Sequence, residues 1–322
     1  MKKLFAAILA LVMMLSVVAV AEGTTDGENY RIGVFFKDST SMFWRYIGVG
    51  CQTKADELGV EFVEYSPASY TDAAGQISMI EDAIASGIDA ICVAAIDSTA
   101  IVDYLVKAED AGIPVIVFNT LIPDFEATGR QRCFIGLDNA AASEAVMEKI
   151  LADHDYSAKV VVLEGTPATQ QNADRCGTAI SVCEKYENVE IVASQPCNAN
   201  RDQAMTVMEN ILQSTPDIDI VFAINDPSGL GALQAIQAAG REGIDIVAID
   251  GTPDTCTAIL AGTGFKYTAD QAPFDMGAMA VQAAYDVLTG KEIEPLQRCG
   301  GTIIGPDNAQ EHLDTYYPDF ES

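Results

Sequence analysis

The chain has 322 residues, 49% of them hydrophobic and 20% charged, which is ample for a packed core and too long for one small domain, so two lobes are the prior. Eighteen Lys plus Arg against 47 Asp plus Glu leave a net charge of −29; such a surface repels phosphate backbones and anionic headgroups, which excludes nucleic acid as a natural partner. The two histidines, His154 and His312, lie in no Cys/His spacing that builds a zinc site or a histidine-based catalytic centre, so neither a metal nor a cofactor is expected.

Lys2 and Lys3 precede an apolar run over 4–20, interrupted only by Ser16, that ends in Ala19-Val20-Ala21 before Glu22. This is the pattern of a secretory signal over residues 1–21. A retained anchor is the alternative, because a run of this length nearly spans a bilayer, but no charged stop-transfer cluster follows. The first cysteine is Cys51, so a lipid-modified cysteine is not expected and the product should be a soluble, periplasmic or extracellular protein. Without Lys2 and Lys3 the balance is 16 basic against 47 acidic residues, a charge of −31.

From Arg31 onward short apolar runs alternate with longer stretches of helical period, the signature of an α/β fold with parallel sheets covered by helices. Strands are predicted over 32–36, 61–65, 90–94, 115–118, 134–137, 160–163, 190–193, 220–223, 246–249, 266–268 and 302–304. Helices are predicted over 44–58, 73–86, 101–111, 140–152, 203–213, 229–239 and 274–288. So many strands exceed one ordinary lobe. Eight cysteines in an exported chain invite a disulfide reading, yet their spacing is irregular. Cys92 lies inside an apolar strand and reads as a small core residue; Cys133 and Cys299, each preceded by Gln-Arg, are the one candidate pair.

An internal echo supports two lobes of similar design. The stretch from Gly87 through Asp97-Ser98, a helix, and Ala111-Gly-Ile-Pro-Val-Ile-Val-Phe-Asn119 reappears as Asp217 through Asn225-Asp226-Pro-Ser228, a helix, and Ala239 through Asp250. Asn119 and Asp250 occupy corresponding strand ends, and Ala95 corresponds to Asn225. Ligands of open parallel sheets bind beyond the carboxyl ends of the strands, so two such sheets facing each other form a cleft.

The segments Ser41-Met-Phe-Trp44, Ile88-Asp-Ala-Ile, Ala111-Gly-Ile-Pro-Val, Ile135-Gly-Leu-Asp-Asn139, Asn225-Asp226 and Asp250-Gly-Thr-Pro-Asp254 with Gln271 resemble, in order and over nearly the whole chain past the signal, the type I periplasmic sugar-binding proteins of the ribose-binding type. The resemblance implies two Rossmann-like lobes with parallel sheets joined by three crossover hinge strands. The first lobe would span 29–137 plus 272–301 and the second 138–271 plus 302–322. A sugar or polyol would close between them and be delivered to an ABC transporter permease. Presentation to a chemoreceptor or sensor kinase would use the same pocket, and a monomer is expected.

Each candidate ligand-binding residue has a plainer reading beside it. Phe43 and Trp44, after the first strand, either pin a helix start or stack on a sugar ring as the family's two aromatics do. Asn225 offers the donors and acceptors that sugar hydroxyls need, helix capping being left to Asp226 or Ser228. Asp250 is either a turn-forming Asp-Gly or the family's charged acceptor of two hydroxyls; Asp250→Ala should then weaken binding and leave the ligand-free thermal midpoint nearly unchanged. Gln271 matches the family's sugar-binding Gln or satisfies hinge backbone. Arg175 matches a ligand-binding Arg or pairs with Asp174, and Asn172 is an alternative holder of that role. Asn119 completes the set from the first lobe. Departures stand beside these: Asn119-Thr120 replaces the family's Asp-Arg pair, Ala94 an Asn and Ala199 an aromatic, which implies a ligand other than ribose, held mainly by the second lobe.

An enzyme on a related scaffold is the competing class. No GxGxxG, GxxxxGK[ST] or GxSxG motif occurs, and Ser228 has no evident histidine partner. A repressor of related fold would need a basic helix-turn-helix at the amino end, where this chain carries an export signal.

Overall fold

A computed structural model describes residues 29–167, 169–318 and 320; the secretory signal expected over 1–21 lies outside them. The strands are β1 (Arg31–Phe35), β2 (Glu61–Tyr65), β3 (Ala90–Val93), β4 (Val115–Phe118), β5 (Cys133–Gly136), β6 (Ala158–Glu164), β7 (Val189–Pro196), β8 (Ile220–Ala223), β9 (Asp245–Asp250), β10 (Phe265–Asp270), β11 (Leu296–Arg298) and β12 (Ile303–Ile304). They form one sheet in the order β11-β5-β4-β3-β1-β2 and another in the order β12-β10-β9-β8-β6-β7. Neighbours run parallel throughout except β10 and β12, which are antiparallel. The chain is therefore an α/β protein of two lobes. It passes from the first sheet to the second after Gly136, returns after Asp270 and crosses again between Arg298 and Ile303.

Both faces of the middle of the first sheet are buried, so its inner strands β3, β4 and β5 carry no polar side chains in alternation. Successive side chains still point to opposite faces: Ile32, Val34 and Phe36 join one core with Cys92 and Ala94, while Phe35 joins another with Ile91 and Val93. A helix over Met42–Leu58, α1, packs on that first core against a helix over Pro273–Leu288, α2, which belongs to the returning segment. The two approach backbone to backbone at Gly50 and Gly277, where an added Cβ would lie 2.0 Å from the Phe274 carbonyl oxygen and 2.1 Å from that of Ile47. The second lobe has its own contiguous core around β6, β8 and β9.

Two sequence expectations need correction. Strand β11 was not anticipated: Leu-Gln-Arg is no apolar run, and as an edge strand it is held only through β5, with Leu296 half exposed. Its register also excludes the Cys133–Cys299 disulfide. Leu296 pairs with Phe134 and Arg298 with Gly136, which sets the two cysteines four positions apart along neighbouring strands, roughly 13 Å at about 3.3 Å per residue. A disulfide needs Cα atoms within about 7 Å. All eight cysteines are free, and Cys92 is fully buried as expected, its thiol donating to the Ala280 carbonyl.

Candidate functional site

The carboxyl ends of the strands in both sheets face one cleft. From the first lobe come Lys37 and Asp38 after β1 and Asn119 and Thr120 after β4; from the second come Asn225 after β8, Asp250 at the end of β9 and Gln271 after β10. The chain turns sharply at these ends. Asn119 (φ 61°), Ala199 (φ 55°) and Ala272 (φ 48°) are all left-handed without being glycine, a conformation that is held only where the surroundings over-determine it and that concentrates at ligand sites.

A run of polar contacts joins the two sides. Asn119 Nδ2 donates to Gln271 Oε1 at 3.3 Å, and Gln271 Nε2 donates to Asp250 Oδ1 at 2.5 Å. Arg175 Nη1 lies 3.7 Å from the same carboxylate oxygen. Arg175 sits in a five-residue π-helical turn, Ala173–Gly177, an irregularity common at functional sites. Its guanidinium is turned inward and only 1% exposed, donating from Nε to Asn139 Oδ1 at 2.7 Å and from Nη1 to the Ile224 carbonyl at 3.0 Å. Burial and the neighbouring Asp226 carboxylate push the Asp250 carboxyl group upward, against the pull of Arg175 and Gln271. Desolvation disfavours the charged form of each member of this pair, and the Arg175 pKa is accordingly lowered.

Lys37 is the other buried cation, 2% exposed. Its ammonium donates to Thr120 Oγ1 and to Gln171 Oε1, the latter at 3.2 Å. Burial, then repulsion from Arg175, lowers its pKa to about 7. Gln171 belongs to the second lobe and also donates from Nε2 to Asn119 Oδ1 at 3.3 Å. Ser98 Oγ accepts from the Gln170 amide at 3.3 Å, and Thr166 reaches the Tyr70 carbonyl at 3.5 Å. The lobes are thus closed on each other. Between them lies a cavity of about 240 Å³, walled by Ser41, Met42, Phe43 and Tyr70 on one side and by Ala199, Arg201, Pro227 and Leu230 on the other. Behind Tyr70 and Ala199 a void of about 10 Å³ reaches Lys37 and Gln171.

The cluster Asn119, Arg175, Asp250 and Gln271 is contiguous. Asn225 is adjacent through its neighbour Ile224, but its side chain is already engaged. Its Oδ1 accepts from Ser228 N at 3.1 Å and Ser228 Oγ at 2.6 Å, and its Nδ2 donates to the Ala199 carbonyl at 3.1 Å. Asn225 is itself the cap of the helix Asp226–Ala238, the role given above to Asp226 or Ser228. Asp226 instead accepts from Thr252 N, Thr252 Oγ1 and Thr268 Oγ1. Asp174 takes an amide hydrogen bond from Gln170 rather than pairing with Arg175, and Asn172 Oδ1 accepts from Gly165 N. Phe43 reaches the cavity wall. Trp44 is 2% exposed, stacked on Phe36 and set edge-on to Phe43 and Phe118, with Nε1 donating to the Tyr70 hydroxyl at 2.6 Å. Lys37, Gln171 and Tyr70 were missed from sequence. Lys37 had a signal: it is the first polar residue after an apolar strand, at the carboxyl end where ligands bind.

Two lobes of this topology closing on a polar cleft define a bilobal solute-binding protein. Residues 32–292 match the family model of the periplasmic binding protein domain. The ribose import binding protein RbsB of Escherichia coli is 32% identical over 76% of this chain and 80% of its own; that of Bacillus subtilis is 29% identical over 83% and 84%. A solute-binding protein of an ABC transporter from Bacillus halodurans, solved with bound myo-inositol, superposes with a TM-score of 0.82 at 26% identity, covering 91% of this chain and 100% of that one. The chain belongs to the periplasmic binding protein family. Among the described residues no helix is long and apolar enough to cross a membrane.

Proposed function

We propose that this protein is the exported receptor of an ABC importer, which captures a sugar or polyol between its lobes and hands it to the permease. The observation that carries this is the meeting of polar side chains from both lobes in one buried cleft: Asn119 and Lys37 from one side, Arg175, Asp250 and Gln271 from the other. A guest that contacts both sides favours the closed arrangement over the open one, which is how binding becomes a shape the permease reads. Phe43, Trp44 and Asn225 complete the proposed site as aromatic wall and strand-end amide. Export is assigned to residues 1–21, and the role is binding without turnover by a monomer. The relatives bind ribose by name and myo-inositol in the crystal, which supports a small polyhydroxylated guest. A thermal-shift screen of the purified protein against neutral sugars, polyols and sugar acids tests the reading. A true ligand at a hundredfold its dissociation constant adds about 2.7 kcal/mol, and a panel that raises the midpoint nowhere would overturn it.

A further inference from the structure

The cleft holds two buried cations, and the hydrogen-bond acceptors of both are neutral. Lys37 and Arg175 are 2% and 1% exposed. The acceptors that Lys37 has found, the Thr120 hydroxyl and the Gln171 amide oxygen, are neutral. Arg175 has an Asn amide oxygen, a carbonyl and, at 3.7 Å, Asp250; its Nη2 is buried and has no hydrogen-bond partner. Buried cations without a paired anion, and buried donors without an acceptor, are both unfavourable.

The other carboxylates near this end of the cleft are occupied. Asp38 accepts from Thr40 Oγ1 and from the Ser41 amide. Asp226 takes three hydrogen bonds from Thr252 and Thr268. Asp250 is shared between Arg175 and Gln271, and burial opposes its ionised form. None of the three is a hydrogen-bond partner of Lys37, and Asp250 stands 3.7 Å from Arg175, so neither buried cation has an anion at hydrogen-bond distance. The lowered pKa of Lys37 has the same origin: it is a cation buried near another cation.

We propose that the missing anion is part of the guest, so that this receptor takes a sugar acid, a polyhydroxylated monocarboxylate whose carboxylate lies between Lys37 and the free Nη2 of Arg175. One carboxylate would give Lys37 and the unpartnered Nη2 a hydrogen-bonded anion in common, and its planar shape suits a guanidinium edge. The hydroxyls would then meet Asn119, Asp250 and Gln271. This rests on the sugar-receptor reading and narrows it.

Isothermal titration of the full chain near neutral pH with paired probes decides it: D-glucuronate against D-glucose, D-galacturonate against D-galactose, and D-ribonate against D-ribose. At least one acid is expected to bind about tenfold or more tightly than its neutral counterpart. Lys37→Met, checked for folding by circular dichroism, is expected to abolish that preference; if this variant does not fold, the probe pairs on the unaltered chain decide alone. Neutral sugars that bind as well as or better than every acid overturn the sugar-acid assignment and leave the receptor reading standing. Silence from acids, neutral sugars and polyols alike overturns both, and an acid preference that survives in folded Lys37→Met overturns the part given to Lys37.

Discussion

Arg175 and Asp250 face each other at 3.7 Å with side chains only 1% and 4% exposed, and this pairing changes what a substitution at Asp250 should do. Read from sequence, Asp250 is a ligand contact whose removal leaves the empty protein untouched. In the structure it is also, among the described residues, the one carboxylate within 4 Å of a fully buried guanidinium and the acceptor for Gln271 Nε2. Removing one member of a buried ion pair strands the other. Asp250→Ala should therefore lower the stability of the ligand-free protein by roughly 2–4 kcal/mol in urea unfolding and weaken ligand binding about tenfold or more in titration. Unchanged ligand-free stability would mean that Asn139 and the Ile224 carbonyl suffice to hold Arg175.

Lys37 gives a pH dependence of opposite sense to that of a salt bridge. Its pKa falls from an unfolded value of 10.5 to about 7 in the fold, so between those limits the unfolded chain binds more protons at this site than the native one. Stability contributed by this group therefore rises with pH from about 7 to 10.5. At lower pH the native state must hold the buried charge. One pKa unit is about 1.4 kcal/mol, so Lys37→Met should stabilise the ligand-free protein by up to ~5 kcal/mol at pH 7 and below, the advantage shrinking toward pH 10.5. Urea unfolding of both proteins at several pH values gives the difference directly, and a difference independent of pH would contradict it.

The cysteines provide a test of topology. Parallel, in-register pairing of β5 with β11 separates Cys133 from Cys299, and all the cysteines except the half-buried Cys299 are buried. Burial also raises the pKa of the Cys299 thiol to about 12, which leaves little reactive thiolate at neutral pH. A thiol reagent should label the native protein slowly, beginning at Cys299, and should count eight thiols after denaturation without reductant. Six would place one disulfide in the native protein, and a bridge mapped to Cys133 and Cys299 would require a different register at that edge.

Much of this fold was legible because a doubly covered parallel sheet writes its strands as apolar runs, and runs such as 115–118 and 220–223 coincide with observed strands. Strand β11 was illegible because an edge strand need not be apolar. The short helix Pro253–Leu260 was likewise hidden behind the Asp-Gly turn before it. In the proposed site, the strand-end rule pointed to Asn119 and Asp250, whose placement follows from topology, while Gln271 came from the family resemblance. It could not say which polar groups the protein itself consumes. Asn225 spends its amide on Ser228 and Ala199, a fact set by how a helix start meets a neighbouring loop. Lys37 and Gln171 meet only when the lobes close, and no local pattern encodes that encounter.

The approach of α1 to α2 is what fastens the returning segment onto the first lobe. Gly277 sits where an added Cβ would fall 2.1 Å from the Ile47 carbonyl oxygen and 3.1 Å from the Cys51 amide nitrogen. These are backbone atoms, which cannot swing aside as a flexible side chain would. Gly277→Ala would ordinarily favour the helix by about 1 kcal/mol; here the two helices must move apart, and overpacking of this kind costs about 1–3 kcal/mol or more. The expected result is a net loss of stability, read as a lower urea midpoint. Gly290→Ala is not an equivalent control, because its φ is 76°; Ala278→Gly is, since it alters helix propensity in the same helix and leaves the contact at Gly277 in place. If Gly277→Ala raises the midpoint instead, the helices are not held at the separation described, and the seam between the returning segment and the first lobe is looser than these contacts require.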